Sequence, residues 1–134
     1  LLGRHRVTPL DLFRVGGSDK VNLRDFHKQQ ALGRSSFDIT LQNGLALPME
    51  GRYFVAPNGA SMRPNSPYLH KMISQFKGGN TTIYKLPRGT HLPDTLTLLH
   101  EHSDYFYVQC AVPMTLEELN HEITTMLKRG GEQM

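Results

Sequence analysis

A chain of 134 residues, 38% hydrophobic and 20% charged, carries enough apolar side chain to bury a core, which excludes a disordered tail and fits a single domain over residues 1–134. Its formal net charge of +3 is spread along the chain with no Lys/Arg run longer than a dipeptide, so an anionic small ligand suits it and nucleic acid is an unlikely partner. With Cys110 as its one cysteine it has no internal disulfide, as intracellular proteins do not, and no apolar run reaches membrane-span length.

The chain opens on Leu1 in place of Met, which fits a processed or trimmed amino terminus, and its apolar start breaks at Gly3-Arg4, unlike a signal peptide. "LDLFRVGG" predicts a short strand ended by Gly16-Gly17. Residues 19–31 carry Val21, Leu23, Phe26 and Gln30 at mixed spacing, which we read as a short helix or loop-helix. "FDITLQNGLALP" alternates Phe37, Ile39 and Leu41 before the turn signal Asn43-Gly44. "RYFVAP" predicts a strand, with Ser61 just past the turn Pro57-Asn58-Gly59. In "SPYLHKMISQFKGG", Ser66 caps a helix with Pro67 in its first turn. Leu69, Met72, Ile73 and Phe76 recur at helical spacing, and Gly78-Gly79 stops it.

Three further strands follow, "TTIYKLP", "TLTLLHE" and "YFYVQCAVP", the first two separated by the turn "RGTHLP". The chain closes on "TLEELNHEITTMLKRGG", a helix capped by Thr115 and Glu118, with Leu116, Leu119, Ile123 and Leu127 inward and Lys128-Arg129 at its negative end. Short strands, turns and separate helices spell α+β rather than a regular βαβ alternation.

The chemistry narrows by exclusion. In "HEH" a period of two places His100 and His102 on one strand face and Glu101 on the other, and no second cluster supplies more ligands, so no metal is expected. Ser61 lies in "NGASM", not in a G-x-S-x-G elbow, Cys110 reads as a buried thiol, and phosphate-loop patterns are absent. Arg14 stays open. On a strand entering the core its planar fork matches a diphosphate, or it is a strand-end cation that reaches water or pairs with Asp11 or Asp19.

"LFR", "NGLALP" and "YFVAPNGAS" in that order resemble the arginine-serine-carboxylate branch of the ADP-ribosyltransferase toxins. The second half, through Pro87, Gly89, Thr90, Leu92, Pro93, Leu96, Ala111, Pro113 and Met114, is similar to the type VI secretion exported effector-two toxins. The likeness spans roughly residues 10–128. Two departures stand out: the Ala56–Ser61 segment is shorter than the family's, and Tyr105 takes the place of a histidine.

The resemblance implies an ADP-ribosyltransferase-like fold, two small packed β-sheets with a cleft that takes NAD as substrate. It makes Arg14 the grip on the diphosphate and nicotinamide-ribose, and Gly16 with Gly17 the place where backbone approaches the nicotinamide amide. Ser61 holds the ribose, Tyr53 or Phe54 walls the nicotinamide ring, and Thr90 and His91, between the two late strands, either contact substrate or simply make the turn. No E-x-E is present, so the acid falls to Glu101 or Asp104 in "HEHSDY". The same resemblance implies an intracellular toxin, a target-cell acceptor of which nucleic acid is one class, and an immunity protein. Two alternatives share the chain: an NAD glycohydrolase, and a non-enzymatic toxin that sequesters a partner.

Overall fold

Two short antiparallel sheets that touch through one bridge organise the chain. The computed structural model describes residues 2–49, 54–75 and 81–133, with Glu132 and Gln133 described by backbone alone. In chain order these form β1 (Gly3–His5), β2 (Leu12–Gly16), α1 (Phe26–Ala31), β3 (Leu45–Ala46), β4 (Ala60–Met62) and α2 (Pro67–Gln75). There follow β5 (Thr82–Leu86), β6 (Leu96–His102), β7 (Tyr105–Cys110), β8 (Met114–Thr115), α3 (Leu116–Gly130) and β9 (Glu132–Gln133). One sheet runs β1-β6-β7-β4, the second β2-β5-β9, and β3 pairs with β8. The mixed α+β architecture with separate small sheets is the expected one.

The core lies where α3 meets both sheets. Leu119, Ile123, Met126 and Leu127 form one buried stripe on α3, the spacing of an amphipathic helix. They share a cluster with Leu96 and Leu98 of β6, Phe106 and Val108 of β7, Met62 of β4, and Leu12 and Leu86 of the smaller sheet. Thr115 caps α3: its hydroxyl accepts from the Glu118 N–H and donates to the Glu118 carboxylate, each at 3.1 Å, a contact that stabilises by about 1 kcal/mol. At the centre of its sheet β6 is buried on both faces, with Leu96, Leu98 and Leu99 at 0% exposure and Thr97 at 2%, which is why "TLTLL" is nearly continuous in apolar residues. Ser66 caps α2 by accepting from the Leu69 N–H at 3.2 Å; Phe76 and Gly78-Gly79 lie outside the described residues.

Several elements differ from expectation. Of "RYFVAP", Arg52 and Tyr53 lie outside the described residues, and Phe54–Pro57 forms no strand. Pro57 has no N–H for a ladder, and Val55 is exposed. The strand comes later, as β4, with Ser61 at its middle. Gly59 leads into it so close to β7 that a Cβ there would collide with the Val108 carbonyl. The alternation over Phe37–Leu41 yields a buried Ile39 but only a single bridge, to Asp25. Main-chain bonds from Asp38 go instead to Arg24 and Gly59. The helix expected within 19–31 is the six residues of α1, capped by Asp25; before it, the Val21 and Leu23 N–H groups donate to Thr124 and Asn120 of α3.

"HEH" is also corrected. A register shift between His100 and His102 pairs His100 with Phe106 and His102 with Tyr105. His100 stacks on Phe106 at 4.1 Å between ring centroids and His102 packs on Tyr105 at 4.5 Å, so the two histidines take opposite faces. The extra residue of the bulge is Glu101, and bulges of this kind re-aim side chains.

Candidate active site

The site grows from how β2 is shared. Along one edge β2 pairs with β5, Arg14 facing Tyr84. Along the other it meets β4 only at Phe13, whose N–H donates to the Arg63 carbonyl at 2.6 Å while the Arg63 N–H returns to the Phe13 carbonyl at 2.9 Å. Past this bridge the strands part, and the Arg14 side chain takes over from the backbone: its Nη1 donates to the Ser61 carbonyl at 3.0 Å. Arg14 and Ser61, 47 residues apart in sequence, meet where the two sheets separate.

Arg14 also opens onto space. With Gly16, Gly17, Ser18, Lys20 and Tyr84 it lines a hollow of about 350 Å³, and no carboxylate is among the described residues that line it. Burial lowers its pKa from the ordinary value, Asp38 raises it in part, and Arg24 lowers it again; a guanidinium stays charged throughout. Both acids that the sequence offers it as partners are engaged elsewhere. Asp11 lies 3.7 Å from Lys85 and Asp19 3.4 Å from Lys128, and among the described residues no carboxylate comes within ion-pair distance of Arg14. Asp38 is held by Arg24 through bonds at 3.0 and 3.1 Å, the first cause of the raised Arg24 pKa, with burial opposing it. A Cβ on Gly16 would meet only the Ser18 carbonyl, at 3.8 Å. Packing does not demand glycine there; the space it leaves belongs to the hollow.

The Ser61 hydroxyl sits apart from that hollow, on the sheet face it shares with its cross-strand partner Tyr107. Phe54 approaches the same ring, at 6.1 Å between centroids; Tyr53 lies outside the described residues. Burial raises the Tyr107 pKa first and Glu101 raises it next, with Arg63 opposing. Glu101 therefore stands within electrostatic reach of the Ser61 side of the site. Asp104 does other work, accepting from the Ser66 hydroxyl at 3.2 Å at the start of α2.

Thr90 is tied into the turn beyond β5: its hydroxyl donates to the Pro87 carbonyl at 2.6 Å and its N–H to the Thr8 hydroxyl at 2.9 Å. His91 lines a separate hollow with Leu92, Glu122 and Met126. Neither lines the Arg14 hollow. Among the described residues no group of three His, Cys, Asp or Glu side chains converges as a metal site. Burial pushes the Cys110 thiol up to about 11, far from nucleophilic. No helix there is long and apolar enough to cross a membrane.

Four residues of this neighbourhood escaped the sequence reading: Lys20, Asp38, Arg63 and Tyr107. A period of two from Ser61 reaches Arg63, and the same period along "YFYVQC" aligns Tyr105 and Tyr107. Asp38 and Lys20 carry no comparable signal, because they arrive through loops.

No curated protein and no solved structure matches the chain. The family model described as "Tse2 ADP-ribosyltransferase toxin" matches residues 10–134, from just before the Arg14 strand through all that follows it. On that match, the chain is a member of the Tse2 ADP-ribosyltransferase toxin family.

Proposed function

We propose that this chain cleaves the nicotinamide–ribose bond of NAD inside a target cell and transfers the ADP-ribose to an acceptor there. The supporting observation is Arg14: a half-buried cation with no carboxylate at ion-pair distance among the described residues, held at the parting of the sheets and facing a hollow. A buried charge left unpaired is costly, and a substrate diphosphate matches the fork of a guanidinium.

In this reading the nicotinamide-ribose end enters beside Gly16 and Gly17, where backbone rather than side chain meets the ring amide. Phe54 supplies an apolar wall and the Ser61 hydroxyl orients the ribose from the neighbouring Tyr107 face, which the ribose reaches past Arg14 at the mouth of the hollow. The N-glycosidic bond breaks with its electron pair passing to the nicotinamide nitrogen, so nicotinamide leaves neutral and C1′ becomes oxocarbenium-like. Glu101 is the carboxylate that stabilises that cation, since it lies within electrostatic reach of Tyr107, the cross-strand partner of Ser61, whereas Asp104 is engaged at α2. The acceptor nucleophile then bonds to C1′ and gives up its proton. An immunity protein that covers the Arg14 hollow would silence such a chain in its producer.

The test is to incubate the protein with NAD and measure free nicotinamide, with and without cell extract. Release that depends on extract is the expected result. Release without extract makes the chain a glycohydrolase on the same site, and none in either condition removes NAD chemistry in favour of a binding toxin.

A further inference from the structure

The Arg14 hollow, at about 350 Å³, sits at the small end of the range of about 300–1,000 Å³ typical of ligand sites. It is small for a whole dinucleotide, which leaves the adenosine half to be placed beside it. A second hollow of about 580 Å³ adjoins it. Both are lined by Lys20, Val21 and Asn22, which makes that tripeptide a ridge with one hollow on either flank.

The ridge is held at a fixed height. Asn120 Oδ1 accepts from the Leu23 N–H and Thr124 Oγ1 from the Val21 N–H, both at 2.9 Å, and the Thr124 hydroxyl donates on to the Asn120 carbonyl at 2.7 Å. Two α3 side chains thus bolt the loop after β2 onto the helix. Beyond the ridge the floor is polar: His121, Thr124 and Thr125 of α3, with Lys128 at one end and Glu117 at the other.

We infer that the adenosine half of NAD lies in this second hollow along α3, with the diphosphate crossing the ridge at Lys20. The inference rests on the reading of the Arg14 hollow as the nicotinamide-ribose site. Its chemistry is complementary along the length of the ligand. Lys20 lines both hollows and meets the diphosphate, whose charge the Arg14 fork shares from the other side. His121 offers a flat ring for the adenine, and the Thr125 hydroxyl suits the ribose. Lys128 is a weak rival for the phosphates, because Asp19 already holds it at 3.4 Å.

The two halves of NAD can be titrated separately into the full chain, as AMP and as nicotinamide mononucleotide, with backbone amide resonances as readout. AMP is expected to shift His121 and Thr125 and leave Gly17 and Thr82 in place, with nicotinamide mononucleotide doing the reverse and Lys20 shifting with both. His121→Ala, on the exposed side of α3, should weaken AMP about tenfold, the scale of one base–aromatic stack. It should leave nicotinamide mononucleotide binding unchanged and raise KM for NAD by a similar factor at constant kcat. AMP shifts that avoid α3, or a His121→Ala variant that weakens both mononucleotides equally, would overturn the assignment. Nicotinamide release separates the two readings. AMP docking on α3 in a chain that leaves NAD intact defeats the catalytic proposal alone. NAD cleavage without AMP shifts on α3 defeats this one alone.

Discussion

Arg14 and Arg63 stand together where the sheets touch, Arg63 in the bridge with Phe13 and Arg14 one residue beyond it on β2, yet their charges are handled in opposite ways. Arg63 is 7% exposed, and its guanidinium lies 3.6 Å from the Tyr105 ring centroid and 4.6 Å from that of Tyr68. Its Nε and Nη1 are buried without an acceptor. Each ring face contributes about 0.5–2 kcal/mol of cation–π attraction, so the tyrosines stand in for the missing acid. Among the described residues no ring stacks on the Arg14 guanidinium; it has one carbonyl, a distant Asp38 and open space. A cation without a carboxylate therefore does not mark a ligand site by itself. What marks one is a cation that the protein has left room beside.

The largest effect should come from Arg14. Arg14→Ala is expected to lower nicotinamide release by on the order of a hundredfold or more, as for loss of one preorganised electrostatic group, with the thermal midpoint nearly unchanged. Arg14→Lys should recover little, because an ammonium cannot present a planar fork. A variant that unfolds would make Arg14 structural, like Arg63, and erase the contrast. The carboxylates divide along the same line. Glu101→Gln should lower kcat by a similarly large factor, while Asp104→Asn should cost about 1 kcal/mol of stability or less through the Ser66 contact and leave kcat intact. Equal losses from the two would detach Glu101 from its special place at the bulge.

Much of the fold was legible because its signals are local. The stripe and cap of α3, the "LFRVG" strand, the Asn43-Gly44 turn (φ +51° and +79°) and the Ser66 cap all answer to spacing within a few residues. β1, β8 and β9 were missed: each is two or three residues long and exists only because a distant strand offers it an edge. The site was half legible for the same reason. Arg14, Gly16 and Ser61 stand in or beside strands with recognisable motifs, whereas Asp38 and Lys20 reach the neighbourhood through non-local pairing, Asp38 by way of Arg24 and Gly59. The bulge that parts His100 from His102 breaks the very period on which their shared face was argued.

Arg63 offers the next test, read in stability rather than in turnover. Arg63→Ala deletes a buried stem and both ring contacts, and should lower stability by about 2–4 kcal/mol, the range of large-to-small truncations. Arg63→Met keeps the volume while removing the charge and the two buried N–H groups that lack acceptors. Since buried ions are often replaced by apolar side chains at no loss, it should stay within about 1 kcal/mol of the parent. Chemical denaturation of both variants checks this. If Met were as damaging as Ala, the charge itself would hold the fold through its two tyrosine faces, and Arg63 would not be a replaceable ion.

The smallest effect, and the finest division of labour, belongs to Ser61. Its carbonyl holds Arg14, and a backbone group survives any side-chain substitution, so Ser61→Ala leaves the arginine positioned. Only the hydroxyl facing Tyr107 is lost. That removes one hydrogen bond to the ribose, worth about 0.5–1.5 kcal/mol, which corresponds to a fall in kcat/KM of up to about tenfold with folding unaffected. Steady-state nicotinamide release at varied NAD measures it. A loss as deep as that of Arg14→Ala would mean that the hydroxyl, rather than the main chain, organises the arginine, and the parting of the sheets would then be held by a side chain that evolution can change.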